Sequence, residues 1–196
     1  MTPDRFLADV RRNRHVDFLL DHWDRLALPQ GWLVAGCLFQ TVWNLQAGRD
    51  PHEGIKDYDL FWHDPSDLSA AHEARVQREV EALVAGRGIT VEACNQARVH
   101  LWYEAHFGRP CAPLRSAEDG IARFLVPSTC VGVRPGEVCA PHGLHDLYAG
   151  RLAQNPLTPW PELYVAKAAS YRRRWPWLHC IDAAEAVEAA LAAPAP

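Results

Sequence analysis

The chain is 196 residues long, 48% hydrophobic and 22% charged, with a formal net charge of −4. Such a composition suits one folded unit with a real core, and the slight acidity excludes a general nucleic-acid binder, so any contact with nucleic acid would need a local patch. Six cysteines occur without a C-x-x-C pair or a preceding signal segment, so reduced thiols in a cytoplasm are expected, and no apolar run is long enough to cross a bilayer.

Phe6 to Leu28 carries Phe6, Val10, Phe18, Leu19, Trp23 and Leu26 among charges at helical spacing, which predicts one or two helices ending near Pro29-Gln30-Gly31. A strand over Trp32–Ala35 and a helix over Leu38–Gln46 follow, and the stretch from Gly48 to Gly54 reads as a loop. Ile55 to Trp62 is the next strand. Asp64-Pro65-Ser66-Asp67 stops it and supplies a cap for a helix over Leu68–Val84, and Ile89–Cys94 is a third strand by its β-branched content. Beyond it, Asn95 to Tyr103 is dense in polar and aromatic side chains, and Phe107 to Arg115 is a loop. Ser116 to Asp119 caps a helix bearing Ile121, Phe124 and Leu125. Cys130–Arg134 and Glu137–Cys139 form a hairpin about Pro135-Gly136. One helix opens near Pro141 to Tyr148 and a last long one runs from Pro161 to Trp175; the Ala-rich tail after Asp182 is expected to fray.

The chemistry is concentrated in Asp57-Tyr58-Asp59. Alternation along a strand sends both carboxylates to one face while Tyr58, Leu60 and Trp62 point to the other. Adjacent carboxylates repel and lose hydration, and a divalent cation between them is the usual remedy. Upstream, a short apolar strand ends at Gly36 and enters a helix whose N-terminus can hold phosphate. Glu92, on a strand that could lie beside the first pair, offers a third carboxylate. Three such groups can hold two Mg²⁺ ions about 3.5 to 4 Å apart, the layout of metal-dependent nucleotidyl transfer. Arg98 and Lys167 are the candidate phosphate partners, while Lys56 should point away from Asp57 on a strand. His100 reads as a hydrogen-bonded, partly buried histidine. Arg172-Arg173-Arg174 could grip an acidic acceptor or form a solvated helix face. Cys139, His142 and His145 suggest a competing zinc site, but no fourth ligand is evident and they are expected not to converge, the stretch reading instead as a tight turn into a helix.

Val34-Ala35-Gly36, Val42-Trp43-Asn44, Asp57-x-Asp59, the block from Asn95 to Tyr103, Ala140-Pro141-x-Gly143-Leu144-x-Asp146-Leu147 and Tyr164-x-x-Lys167 with Trp175-Pro176 together resemble a group of bacterial nucleotidyltransferase-like proteins of the DNA polymerase beta-type superfamily. The resemblance runs from about Trp32 to Leu178, and the Asn95–Tyr103 block is its most specific part. It implies an α/β (α+β) fold with a small mixed sheet flanked by helices and a mostly helical C-terminal part. The expected organisation is a single domain over 1–196, with a catalytic core at about 30–105 and a helical extension at about 115–180. It further implies Asp57, Asp59 and Glu92 as metal ligands and catalytic carboxylates, Mg²⁺ or Mn²⁺ as cofactor, and an NTP with an unidentified acceptor as substrates. Gly36 and the backbone of Cys37 would meet the nucleotide phosphates. The superfamily usually has Gly or Ser where Cys37 stands, so a hydroxyl contact to phosphate is missing, and a non-catalytic nucleotide-binding protein on the same fold is the rival reading.

Overall fold

A computed structural model of the chain describes residues 1–192. Two short helices open it, α1 (Pro3–Val10) and α2 (Arg14–Asp21), capped by the side chains of Thr2 and Asn13, which accept from the backbone N–H groups of Arg5 and His15. Next come β1 (Trp32–Val34), α3 (Gly36–Gln46), β2 (Asp57–Trp62), α4 (Ala70–Leu83) and β3 (Thr90–Asn95). This is the predicted order, with ends displaced by one or two residues. The aromatic block forms a 3-10 segment over Gln96–Leu101 and α5 (Tyr103–Phe107), and α6 (Ala117–Ile121) starts on the Ser116 cap. The chain then runs through β4 (Gly132–Arg134), β5 (Glu137–Cys139), α7 (His145–Ala149), β6 (Arg151–Leu152), α8 (Pro161–Arg174), β7 (His179–Cys180) and α9 (Ala184–Ala192).

Five strands make one sheet in the order β3-β2-β1-β4-β5, in which the β2–β3 pair is parallel and the other pairs antiparallel. The parallel pair requires a crossover, which α4 provides. The β4–β5 hairpin does not stand apart with the helical C-terminal region; it extends the sheet beyond β1. A separate two-stranded parallel pair joins β6 to β7.

Burial on β2 alternates strictly, and Tyr58, Leu60 and Trp62 are the buried members. Together with Leu33, Val91 and Ala93 they pack into the main core beneath α3 and the N-terminal helices. Trp32 and Val34 face the opposite side, where Ala117, Ile121 and Cys130 form a smaller cluster that Phe61 and Phe124 join. Asp57 and Asp59 share that second face with Phe61.

The central anchor of α3 is Trp43, fully buried, with its ring centroid 5.2 Å from Trp175 and 5.3 Å from Tyr171, and with Nε1 donating to the Leu147 carbonyl at 3.0 Å. One residue on, Asn44 accepts from Trp175 Nε1 at 3.0 Å and donates to the Glu53 carbonyl at 2.9 Å. One side chain thereby ties α8, α3 and the loop that delivers the chain to β2. The Ala-rich segment is a helix, contrary to the frayed tail expected, since Ala has the best intrinsic helix propensity and Val187 is buried against α8. Pro194-Ala195-Pro196, part of that expectation, lies outside the described residues.

Candidate active site

The turn from β1 into α3 is strained at Ala35, which adopts φ 58° and ψ −127° as the residue preceding the helix. The strand ends at Val34, before Gly36, which was expected as its last residue and is instead the first residue of the helix. A non-glycine residue in this region costs about 1–3 kcal/mol, and its N–H is held by the Val131 carbonyl at 3.1 Å. Ala35→Gly is therefore expected to raise stability by about 1 kcal/mol in urea unfolding; a lower midpoint would show that the turn is relaxed.

The Gly36 and Cys37 N–H groups lie in the first turn, where no earlier carbonyl of the helix can take them. The Cys37 side chain is fully buried in the main core, where its Sγ donates to the Val34 carbonyl at 3.3 Å and burial pushes the thiol well above its ordinary range. Only its backbone can serve the cleft. A Cβ on Gly36 would stand 2.9 Å from Nε2 of Gln40, so the glycine leaves room for that amide, whose Oε1 accepts from Arg174 Nη1 at 2.6 Å.

Parallel pairing sets Asp59 opposite Glu92 and Asp57 opposite Thr90. Asp57, Asp59 and Glu92 all line one cleft of about 650 Å³, together with Ala35, Gly36 and Gln40. Burial, then the charges of Asp57 and Glu92, push the Asp59 carboxyl up to about 7, against the partial opposition of Lys167 and Lys56. Among the described residues, no three His, Cys, Asp or Glu side chains are already gathered as a metal cluster. The donor set is nonetheless the all-oxygen kind that Mg²⁺ takes, and the raised Asp59 marks a site short of positive charge.

The remaining candidates divide. Lys167 on α8 lines the cleft. Arg98 does not: its guanidinium pairs with Glu73 and its Nε donates to the Leu68 carbonyl at 2.8 Å, so it fastens the 3-10 segment to α4 instead of meeting phosphate. Lys56 precedes β2, so strand alternation does not govern it, and its Nζ stands 3.9 Å from Asp57 Oδ2 rather than pointing away. His100 has a buried Nδ1 without a hydrogen-bond partner among the described residues and does not line the cleft. In the arginine run, Arg172 pairs with Glu188, Arg173 donates to the Ala190 carbonyl at 2.7 Å, and Arg174 holds Gln40. The run is a packing face between α8, α9 and α3. Cys139, His142 and His145 meet different surroundings: Cys139 packs on the smaller cluster, His142 Nε2 is 3.0 Å from the Ala122 carbonyl, and His145 is exposed at the start of α7.

Gln40 belongs to no motif in the sequence, although its i+4 spacing from Gly36 sets the two on one helix face. An aromatic wall of Trp102, Tyr103, Phe107 and Trp160 also lines the cleft. Trp102, Tyr103 and Phe107 come from one aromatic segment, and Trp160 reaches them from more than fifty residues away, so no local pattern shows that they meet.

A strained strand-to-helix turn beside a carboxylate-bearing parallel strand pair defines a nucleotidyltransferase-type fold. In agreement, a solved structure described as revealing "a CCA-adding enzyme head domain" superposes with a TM-score of 0.73 at 22% identity, covering 91% of this chain and 95% of that one. A search of curated proteins finds no match. The chain belongs to a nucleotidyltransferase family, whose model matches residues 21–180.

Proposed function

We propose that the protein moves a nucleotidyl group from an NTP to a hydroxyl or phosphate acceptor with Mg²⁺, or Mn²⁺, as cofactor. The observation that carries this reading is the meeting of three carboxylates on one sheet face with the N-terminus of α3 in one cleft. Asp57 and Asp59 would hold the ions, and Glu92 would complete the one nearest the acceptor. Bound there, the ions supply charge neutralisation at the triphosphate and a more acidic acceptor hydroxyl. The chain's own groups do the positioning. The N–H groups of Gly36 and Cys37, the Gln40 amide and Lys167 orient the triphosphate so that its α-phosphorus faces the acceptor. An acceptor oxygen bonds to that phosphorus, the bond from phosphorus to the pyrophosphate oxygen breaks, and the acceptor proton passes to Glu92 and then to solvent. The unit combines a core at about 30–105 that carries the carboxylates with a segment at about 115–180 that walls the cleft. Its six thiols are all free, which suits a reducing cytoplasm. No described helix is long and apolar enough to cross a membrane.

The buried Cys37 thiol, which offers the nucleotide no side-chain contact, favours a second reading as a non-catalytic nucleotide binder. Two measurements separate the readings. Mn²⁺ binding followed by electron paramagnetic resonance in the presence of ATP is expected for the native protein and lost in Asp57→Asn and Asp59→Asn. Pyrophosphate release from NTPs, with a metabolite extract supplying acceptors, is expected to show the same dependence. Undiminished Mn²⁺ binding in both variants would remove the metal assignment, and metal binding without pyrophosphate release would favour the non-catalytic reading.

A further inference from the structure

The aromatic wall has no part in the phosphate and carboxylate chemistry above. Tyr103 stacks 4.6 Å from Phe107 and 5.8 Å from Trp160, while Trp102 lies 6.0 Å from Tyr103. Trp102 is 36% and Phe107 43% exposed, so large apolar surfaces are presented to the cleft without a covering segment among the described residues. The segment bearing three of the four rings continues directly from β3, the strand of Glu92. The fourth, Trp160, precedes α8 by one residue and stands seven residues before Lys167, a spacing of about 10 Å along a helix. The wall thus adjoins both the strand of Glu92 and the helix of Lys167 in the one cleft.

Charge narrows the choice further. Holding a nucleic-acid backbone takes several unengaged cations. Here Arg98 is paired with Glu73 and Arg109 with Glu162, and Arg123 bonds Asp119 through Nε at 3.2 Å and Nη2 at 3.1 Å. Of the cleft-lining cations, Lys167 alone has no carboxylate partner among the described residues, and the triphosphate has first claim on it. Three carboxylates face it across the same space.

We infer that the wall seats the acceptor, a small uncharged molecule with a planar ring face beside its reacting hydroxyl, and not a nucleic acid. This rests on the transfer reading, since it names the acceptor class for the same site. Stacking on Tyr103 and Trp160 holds the ring while its hydroxyl points along α8 toward Glu92 and Asp59.

The test is binding to the full-length, metal-free protein, with 2-naphthol as the probe and calorimetry as the readout. The native protein is expected to bind it, and Tyr103→Ala and Trp160→Ala to weaken binding about tenfold each, the scale of a lost ring stack. Trp102→Ala, at an exposed position, keeps the test open if either variant unfolds. ATP and a short single-stranded RNA are expected not to displace the probe. Displacement by ATP would give the wall to the nucleobase, displacement by the RNA would restore a nucleic-acid acceptor, and wall variants that bind like the native protein would also overturn the inference. Because no metal is present in this binding assay, its result and the Mn²⁺ result fail independently.

Discussion

Without divalent ions, the melting temperature of the native protein is expected to fall as pH rises from about 5 to about 8, and Asp59→Asn to remove most of that slope. The folded Asp59 carboxyl is pushed up to about 7 from 3.8 by burial and by Asp57 and Glu92. Between these two values the folded state binds more protons than the unfolded one, so stability decreases as pH rises. Below the lower value both states are protonated and the penalty vanishes; above the higher one it is complete. At about 1.4 kcal/mol per unit, and discounted for partial solvent contact, it amounts to roughly 3 kcal/mol. Asn keeps the shape and carries no charge, so the variant should be more stable than the native protein near pH 8. Saturating Mg²⁺ should stabilise the native protein more at the higher pH and the variant little at either. Equal pH slopes for the two proteins would refute the account of Asp59.

Trp43→Ala is expected to be the costliest single change in the core, at about 4 kcal/mol by urea unfolding. It empties a site packed by Phe39, Tyr171 and Trp175 and leaves the Leu147 carbonyl with only the longer bond from the Gly150 N–H, at 3.4 Å. Since this contact fixes α3 against α7 and α8, the helix that opens at the cleft should loosen with it. A loss under about 1 kcal/mol would mean that the cluster re-forms around the gap.

Several features that bear on the site were legible because they are local. The alternation that sends Asp57 and Asp59 to one face of β2 depends only on the period of a strand, and the Ser116 cap needs only its own turn. The element order through β3 followed from hydrophobic period and turn residues for the same reason. Lys56 shows the limit of that reasoning, because alternation applies only inside a strand and β2 begins one residue later.

The remainder was decided by contacts between distant segments. Glu92 stands opposite Asp59 only because β3 pairs parallel to β2 in one particular register, which a one-residue slip would reverse. Arg98 has the chemistry of a phosphate ligand, yet the fold brings Glu73 against it first, and a paired charge is costly to free once partly buried. The thiol of Cys37 is directed inward by the phase of α3, and the strain sits on Ala35 because the carbonyl of Val131, almost a hundred residues away, holds its N–H. Sequence by itself therefore determined which groups could do the chemistry and which strand face carries them. The tertiary structure decided which of them meet, because register, helix phase and ion pairing are set by the packing of whole elements and leave no mark within a short window of residues.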